Sequence, residues 1–243
     1  MFRVTGILFT SFLALTSPLT AQSGSHGTAG NVQAAPAAWE VAIQQRRTEL
    51  VQKNGAGTDT ALCDQLLRMR DEDQAVRGFV HGKRTSAMTS ELVKQLPAVD
   101  ARLTAELKQI VAQKGWPTIA LVGIDASNAA MLILTHSPDH AWQRQLLPQL
   151  QELAEAAKID GSSLALVVDK ELVSEGKLQR YGSQFMFIGG KMSMYAVEDP
   201  AHLDNRRAEA LLPPMSIYKQ MMAQIYHLEV SNDVVMATPS AKK

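Results

Sequence analysis

The sequence predicts a mainly α protein, a single helical domain with one β-hairpin, preceded by a signal peptide and a flexible linker. Three observations carry that reading. Apolar residues recur at three- and four-residue spacing in successive stretches between about residues 60 and 227. One stretch alternates on both sides of a Gly-Gly pair. The first 21 residues have a basic start, an apolar run and a small-residue end.

The leader is "MFRVTGILFTSFLALTSPLTAQ", with Arg3 as its basic start and Ala21 as the expected last residue removed. Its apolar run is shorter than a membrane span needs, so no transmembrane anchor is expected after cleavage. No cysteine follows the run for lipid attachment. The expected location is periplasmic or secreted, in a bacterium. Residues 22–59 read as a linker, Gly/Ala/Ser-rich at first, with a possible helix in "AWEVAIQQRRTELVQK".

The compact domain is expected over 60–227. "TALCDQLLRMRDEDQAVRG" places Leu62, Leu66, Met69, Asp73 and Val76 on one helical stripe, with Gly78 as a stop. "PAVDARLTAELKQIVAQKGWP" repeats the spacing with Val99, Leu103, Leu107 and Ile110; Pro97 sits at its start and Gly115 at its end. "DASNAAMLILTHS" follows, helical on the strength of its alanines, with Asp125 as cap. "SPDHAWQRQLLPQLQELAEAAK" has Ser137 as cap and a kinking Pro148. "DGSSLALVVDKELVSEG" begins on Asp160 and stops at Gly176. "SQFMFIGGKMSMYAV" is the hairpin, turning at Gly189–Gly190. Helix returns through "MSIYKQMMAQIYHL", and 228–243 read as a flexible tail.

Twenty-four basic and 24 acidic residues give zero formal charge, and no basic stripe is present. Nucleic acid is therefore not an expected partner. Cys63 is the only cysteine, so no internal disulfide forms, and among leucines it reads as a small core residue. A phosphate-cradling loop, a G-x-S-x-G elbow and paired C-x-x-C are absent from the sequence. No cofactor and no metal site is expected. His136 and His140 are four residues apart, but Pro138 separates them and no HExxH pattern occurs.

The polar residues on apolar faces are the candidates for chemistry. Asp73 and Asp169 each lie on an apolar stripe, where burial demands a partner; Arg77 is one turn from Asp73. They read either as helix-edge acids or as lining of an internal polar pocket. His136 shares a face with Leu132 and Ile133, as a hydrogen-bonded core residue or a general acid–base. "QRYGSQF" crowds Gln179, Arg180, Tyr181 and Gln184 around Gly182. These side chains read either as caps on stray backbone groups or as contacts to a polar ligand such as a sugar, amide or peptide.

Several segments in order, "LRMRDEDQAVRG", "KGWPTIALVG", "AAMLILTH", "LALVVDKELVSEGKLQRYGSQF" and "VEDPAHLDNRRAEALLPPMSIY", together resemble a bacterial family, domain of unknown function 6624, over about residues 60–222. The resemblance implies one helical domain with recurrent polar positions at Asp73, Gln74, His136, Asp169, Gln179, Tyr181, Gly182 and Gln184. It also brings Glu198, Asp199, Asp204, Arg206 and Arg207 into the domain. The chain departs from the family pattern at "VVDK", where a run ending Asp-Arg is expected.

Two functions follow as expectations. The first is an exported acid–base enzyme, a hydrolase or lyase, with His136 and Asp169 as catalytic residues. Asp73, Gln179, Arg180, Tyr181 and Gln184 would bind a small polar ligand or envelope component. The second is a non-catalytic periplasmic protein that binds a ligand or partner.

Overall fold

The computed structural model describes residues 7–8, 37–80, 83–84 and 89–239. The expected leader and the first part of the linker otherwise lie outside the described residues. The chain is mainly helical, as the periodicity predicts, with a small sheet. Among the described residues no helix is long and apolar enough to cross a membrane.

The helices in chain order are α1 (Ala38–Asn54), α2 (Thr60–Val76), α3 (Ser90–Lys114), α4 (Ile119–Val122), α5 (Ile124–His136), α6 (His140–Glu155), α7 (Gly161–Ser174), α8 (Leu203–Glu209) and α9 (Met215–Tyr226). The strands are β1 (Ile7–Leu8), β2 (Phe79–Val80), β3 (Lys83–Arg84), β4 (Phe185–Ile188), β5 (Lys191–Tyr195) and β6 (Val230–Val235).

Caps decide where the helices begin. Asp59 accepts the Leu62 N–H at 3.0 Å and starts α2. Asp160 accepts the Ser162 N–H at 3.1 Å and starts α7, as expected. Three starts differ from expectation. α5 begins at Ile124 on Gly123, so Asp125 lies in its first turn rather than at its cap. α6 is capped by Asp139, which accepts the Trp142 N–H at 3.0 Å, rather than by Ser137. α3 starts seven residues before Pro97, on Thr89, so Pro97 lies inside the helix. The position its missing N–H would have bonded, Val93, is exposed, where water can serve the carbonyl.

α5 is the axis of the bundle. Every residue from Ile124 to His136 except Asp125 is buried. A helix buried all round must be enclosed by others, and α2, α3 and α7 pack against it. The main core joins Leu66, Leu107, Ala130, Leu134 and Val167 from these helices with Leu150 of α6. Half-buried Cys63 packs against this core, and burial pushes its thiol upward.

A second core lies between the sheet and the C-terminal helices, around Phe185, Met192, Met194, Tyr218, Met222 and Tyr226. β4 and β5 form the expected hairpin, with Ile188 opposite Lys191. Gly189 and Gly190 have φ of 59° and 80°, the backbone that a two-residue turn requires. The backbone of β1 extends β4 on one side. The expected loose tail is instead β6, which pairs parallel to β5 on the other side. Its apolar alternation is weak because only Ser231 in it is buried, and only the tertiary pairing supplies its hydrogen bonds.

α1 is docked rather than tethered. Leu50 is buried with Ile119, Ile124 and Ala157. Arg47 pairs with Asp125 at 2.7 Å, and Asn54 Nδ2 donates to the Ala157 carbonyl at 2.8 Å. Leu50→Ala is expected to lower stability by about 2–4 kcal/mol, read as a shifted urea midpoint; an unshifted midpoint would mean that α1 contributes nothing to the fold.

Candidate functional site

Asp73 lies on the buried face of α2 and His136 is the last residue of α5. Their side chains meet at 2.7 Å, His136 Nδ1 to Asp73 Oδ1, with exposures of 2% and 1%. Arg77 Nη1 donates to the same Oδ1 at 2.9 Å, and Gln74 Nε2 donates to Oδ2 at 2.8 Å. Arg77 Nη2 reaches on to Asp100 Oδ1 on α3 at 2.7 Å. Among the described residues, Gln74 and Asp100 are partners of this centre that reach the surface, both part-buried.

Burial opposes ionisation of Asp73, but the fields of His136 and Arg77 and the two side-chain hydrogen bonds outweigh it; the carboxyl lies below its ordinary range. His136 is also held low, first by burial and then by Arg77, with Asp73 opposing. The resulting pair is a carboxylate beside a neutral imidazole. With Nδ1–H donating to Asp73, Nε2 carries the lone pair.

Asp169 goes elsewhere. It is buried on α7, and its Oδ1 accepts the N–H groups of Arg180 at 2.7 Å and Tyr181 at 2.9 Å, while Oδ2 accepts that of Ser183 at 2.8 Å. Burial pushes its carboxyl up, against these three N–H groups. The carbonyls of the same segment are also claimed. Arg206 Nε donates to the Arg180 carbonyl at 3.0 Å, and Arg207 Nη1 to the Tyr181 carbonyl at 2.6 Å.

Gln179 and Gln184 point inward. Gln179 Nε2 donates to the Tyr195 carbonyl at 2.6 Å, and its Oε1 accepts the Gln184 N–H at 2.9 Å. Gln184 Nε2 donates to Ser183 Oγ at 2.9 Å. Gly182 has φ of 69°, and a Cβ there would stand 2.5 Å from Met215 Cε. Only Arg180 and Tyr181 turn outward, Arg180 exposed and 5.8 Å above the Tyr181 ring. The structure thus brings Asp73 to His136, and Asp169 to the 179–184 segment, on different contacts.

Sequence reasoning missed the two residues that follow Asp169. Lys170 and Glu171 are both buried. Lys170 Nζ donates to the carbonyls of Thr135 and of Ser137, the latter at 2.7 Å, and so holds the end of α5 that carries His136. Burial pulls its ammonium down to about 7, with Glu171, Asp100 and Asp73 opposing and Arg77 assisting. Glu171 accepts from His140 Nδ1 at 2.6 Å and Arg144 Nη1 at 2.9 Å. The signal was the apolar run on both sides of "DKE", which marks a helix buried around most of its circumference.

Fold and site together define a helical domain with a buried imidazole–carboxylate centre and a loop pinned through its backbone. The sequence model of a family of unknown function (DUF6624) matches residues 60–231. The chain belongs to that family, and the resemblance read from its segments holds. No curated protein and no solved structure matches it.

Two outcomes are expected. Asp169→Ala strands the buried Ser183 N–H and the part-buried N–H groups of Arg180 and Tyr181, the buried one worth about 1–3 kcal/mol, so the urea midpoint should fall clearly. Acidification should also weaken the fold in two stages. Because the folded His136 resists protonation, the unfolded chain takes that proton first below about pH 6.5. Asp73 is depressed when folded, so its contribution, full above about pH 4, is lost as pH falls through the folded value. Urea midpoints between pH 7 and 5 should decline in the natural protein and decline less in His136→Gln; equal slopes would remove His136 from the acid response.

Proposed function

We propose that the protein is an exported acid–base enzyme, a hydrolase or lyase acting on a polar carbohydrate or peptide component of the bacterial envelope. The observation that carries the reading is the 2.7 Å contact between His136 Nδ1 and Asp73 Oδ1. A carboxylate on Nδ1 selects one tautomer, orients the ring and stabilises the imidazolium that forms when Nε2 takes a proton.

In this reading His136 moves the proton and Asp73 takes the orienting role expected of Asp169. Arg77 keeps Asp73 ionised, and Lys170 positions the end of α5. Gln179, Gln184 and Asp169 shape the loop, which leaves Arg180 and Tyr181 as its outward contacts for ligand. Export rests on the leader-like first 21 residues, and the substrate class on compartment and site polarity.

The alternative, a non-catalytic periplasmic protein that binds a ligand or partner, is favoured by one observation. Gln179 and Gln184 are almost fully buried and spend their amides within the protein. In that reading the polar groups are a scaffold.

The two are separated by incubating the purified protein with peptidoglycan fragments and envelope oligosaccharides and following products by mass spectrometry. Product formation should fall about a hundredfold or more in His136→Ala and in Asp73→Asn, in samples whose circular dichroism matches the natural protein. Turnover unchanged by His136→Ala sinks the enzymatic reading at this centre. A fragment retained by the protein without conversion supports the binding reading.

A further inference from the structure

A second imidazole–carboxylate pair lies outside the Asp73–His136 centre, and it faces solvent. His140 and Arg144 are one turn apart on α6, so they share a face. Between them that face grips Glu171 on α7, His140 Nδ1 at 2.6 Å from Oε1 and Arg144 Nη1 at 2.9 Å from Oε2. The carboxylate is buried, at 4% exposure, whereas His140 and Arg144 are 29% and 44% exposed.

The geometry has a direct consequence. The two nitrogens of an imidazole lie on opposite sides of the ring. Fixing Nδ1 on a buried acid therefore turns Nε2 outward. Among the described residues Nε2 of His140 has no hydrogen-bond partner, and neither has Nη2 of Arg144. Arg144 is further tied by its Nε, 4.0 Å from Glu175. One basic lone pair and one cationic N–H donor are thus presented side by side, both held from behind by a single anion.

We propose that His140, oriented by Glu171, is a solvent-facing general base for a small carboxylate-bearing ligand that docks on Arg144. With an ester of such a ligand the step balances as hydrolysis. His140 Nε2 takes a proton from water as the water oxygen bonds to the acyl carbon. The acyl C–O bond breaks, and the leaving oxygen departs with the electron pair. The imidazolium then returns its proton to that oxygen or to solvent.

The probe is the mono-4-nitrophenyl ester of adipic acid, which keeps one free carboxylate, with neutral 4-nitrophenyl acetate as comparison. The full chain should hydrolyse the anionic ester faster than the same concentration of free imidazole, and His140→Gln should lower that rate about tenfold or more. Arg144→Gln should raise KM for the anionic ester several-fold more than for the neutral one. Nitrogen NMR of the natural protein supplies a readout that needs no variant. The ring of His140 should show Nδ1 protonated and Nε2 bare. A rate retained in His140→Gln, or an Nε2-protonated ring, overturns the proposal. Equal effects of Arg144→Gln on both esters overturn the docking role.

Discussion

Three consecutive charged residues on α7, Asp169, Lys170 and Glu171, are all buried, and the arrangement around them is what the rest of the structure depends on. A buried charge without partners is far more costly than a lost hydrogen bond. Successive residues of a helix point about 100° apart, so the three cannot share a partner. Asp169 takes the backbone of the 180–183 segment, Lys170 the end of α5, and Glu171 the first turns of α6. α7 is thereby tied on three sides by directional contacts, and each tie sets the position of a polar group with chemical potential.

The 179–184 segment illustrates how a loop can be built rigid without regular structure. Three of its N–H groups meet one carboxylate, and two of its carbonyls meet guanidinium groups from consecutive residues of α8. Arg207 is fully enclosed and stacks 4.6 Å over Tyr218. Backbone groups buried in a loop must be satisfied one by one, and that demand accounts for the density of polar side chains near Gly182. The same side chains would suit a ligand equally well by type, and burial alone separates the two uses.

The ties of α7 also distribute exposure between the two histidines. His136 is drawn under the bundle surface by Asp73 and by the Lys170 contacts to its own turn. His140, only four residues on, stands at the start of the next helix with one ring edge in water. Proximity in sequence therefore says little about shared function here, because a helix end lies between them.

Much was determined by the sequence alone. Periodicity fixed which stretches become helices, Asp160 marked the start of one of them, and Gly189–Gly190 marked the hairpin turn, because each of these is a local demand of the backbone. Asp73, His136 and Asp169 were legible as inward polar residues for the same reason: a helix face is written in its spacing. Their partners were decided only by tertiary structure. Asp73 and His136 lie 63 residues apart, and no local rule prefers that pairing to His136 with Asp169. Lys170 and Glu171 look like surface charges until other helices close around α7, and β6 has no partner until the chain returns to β5. Hydrogen-bond partners of buried charges depend on which helices meet, which is a property of packing.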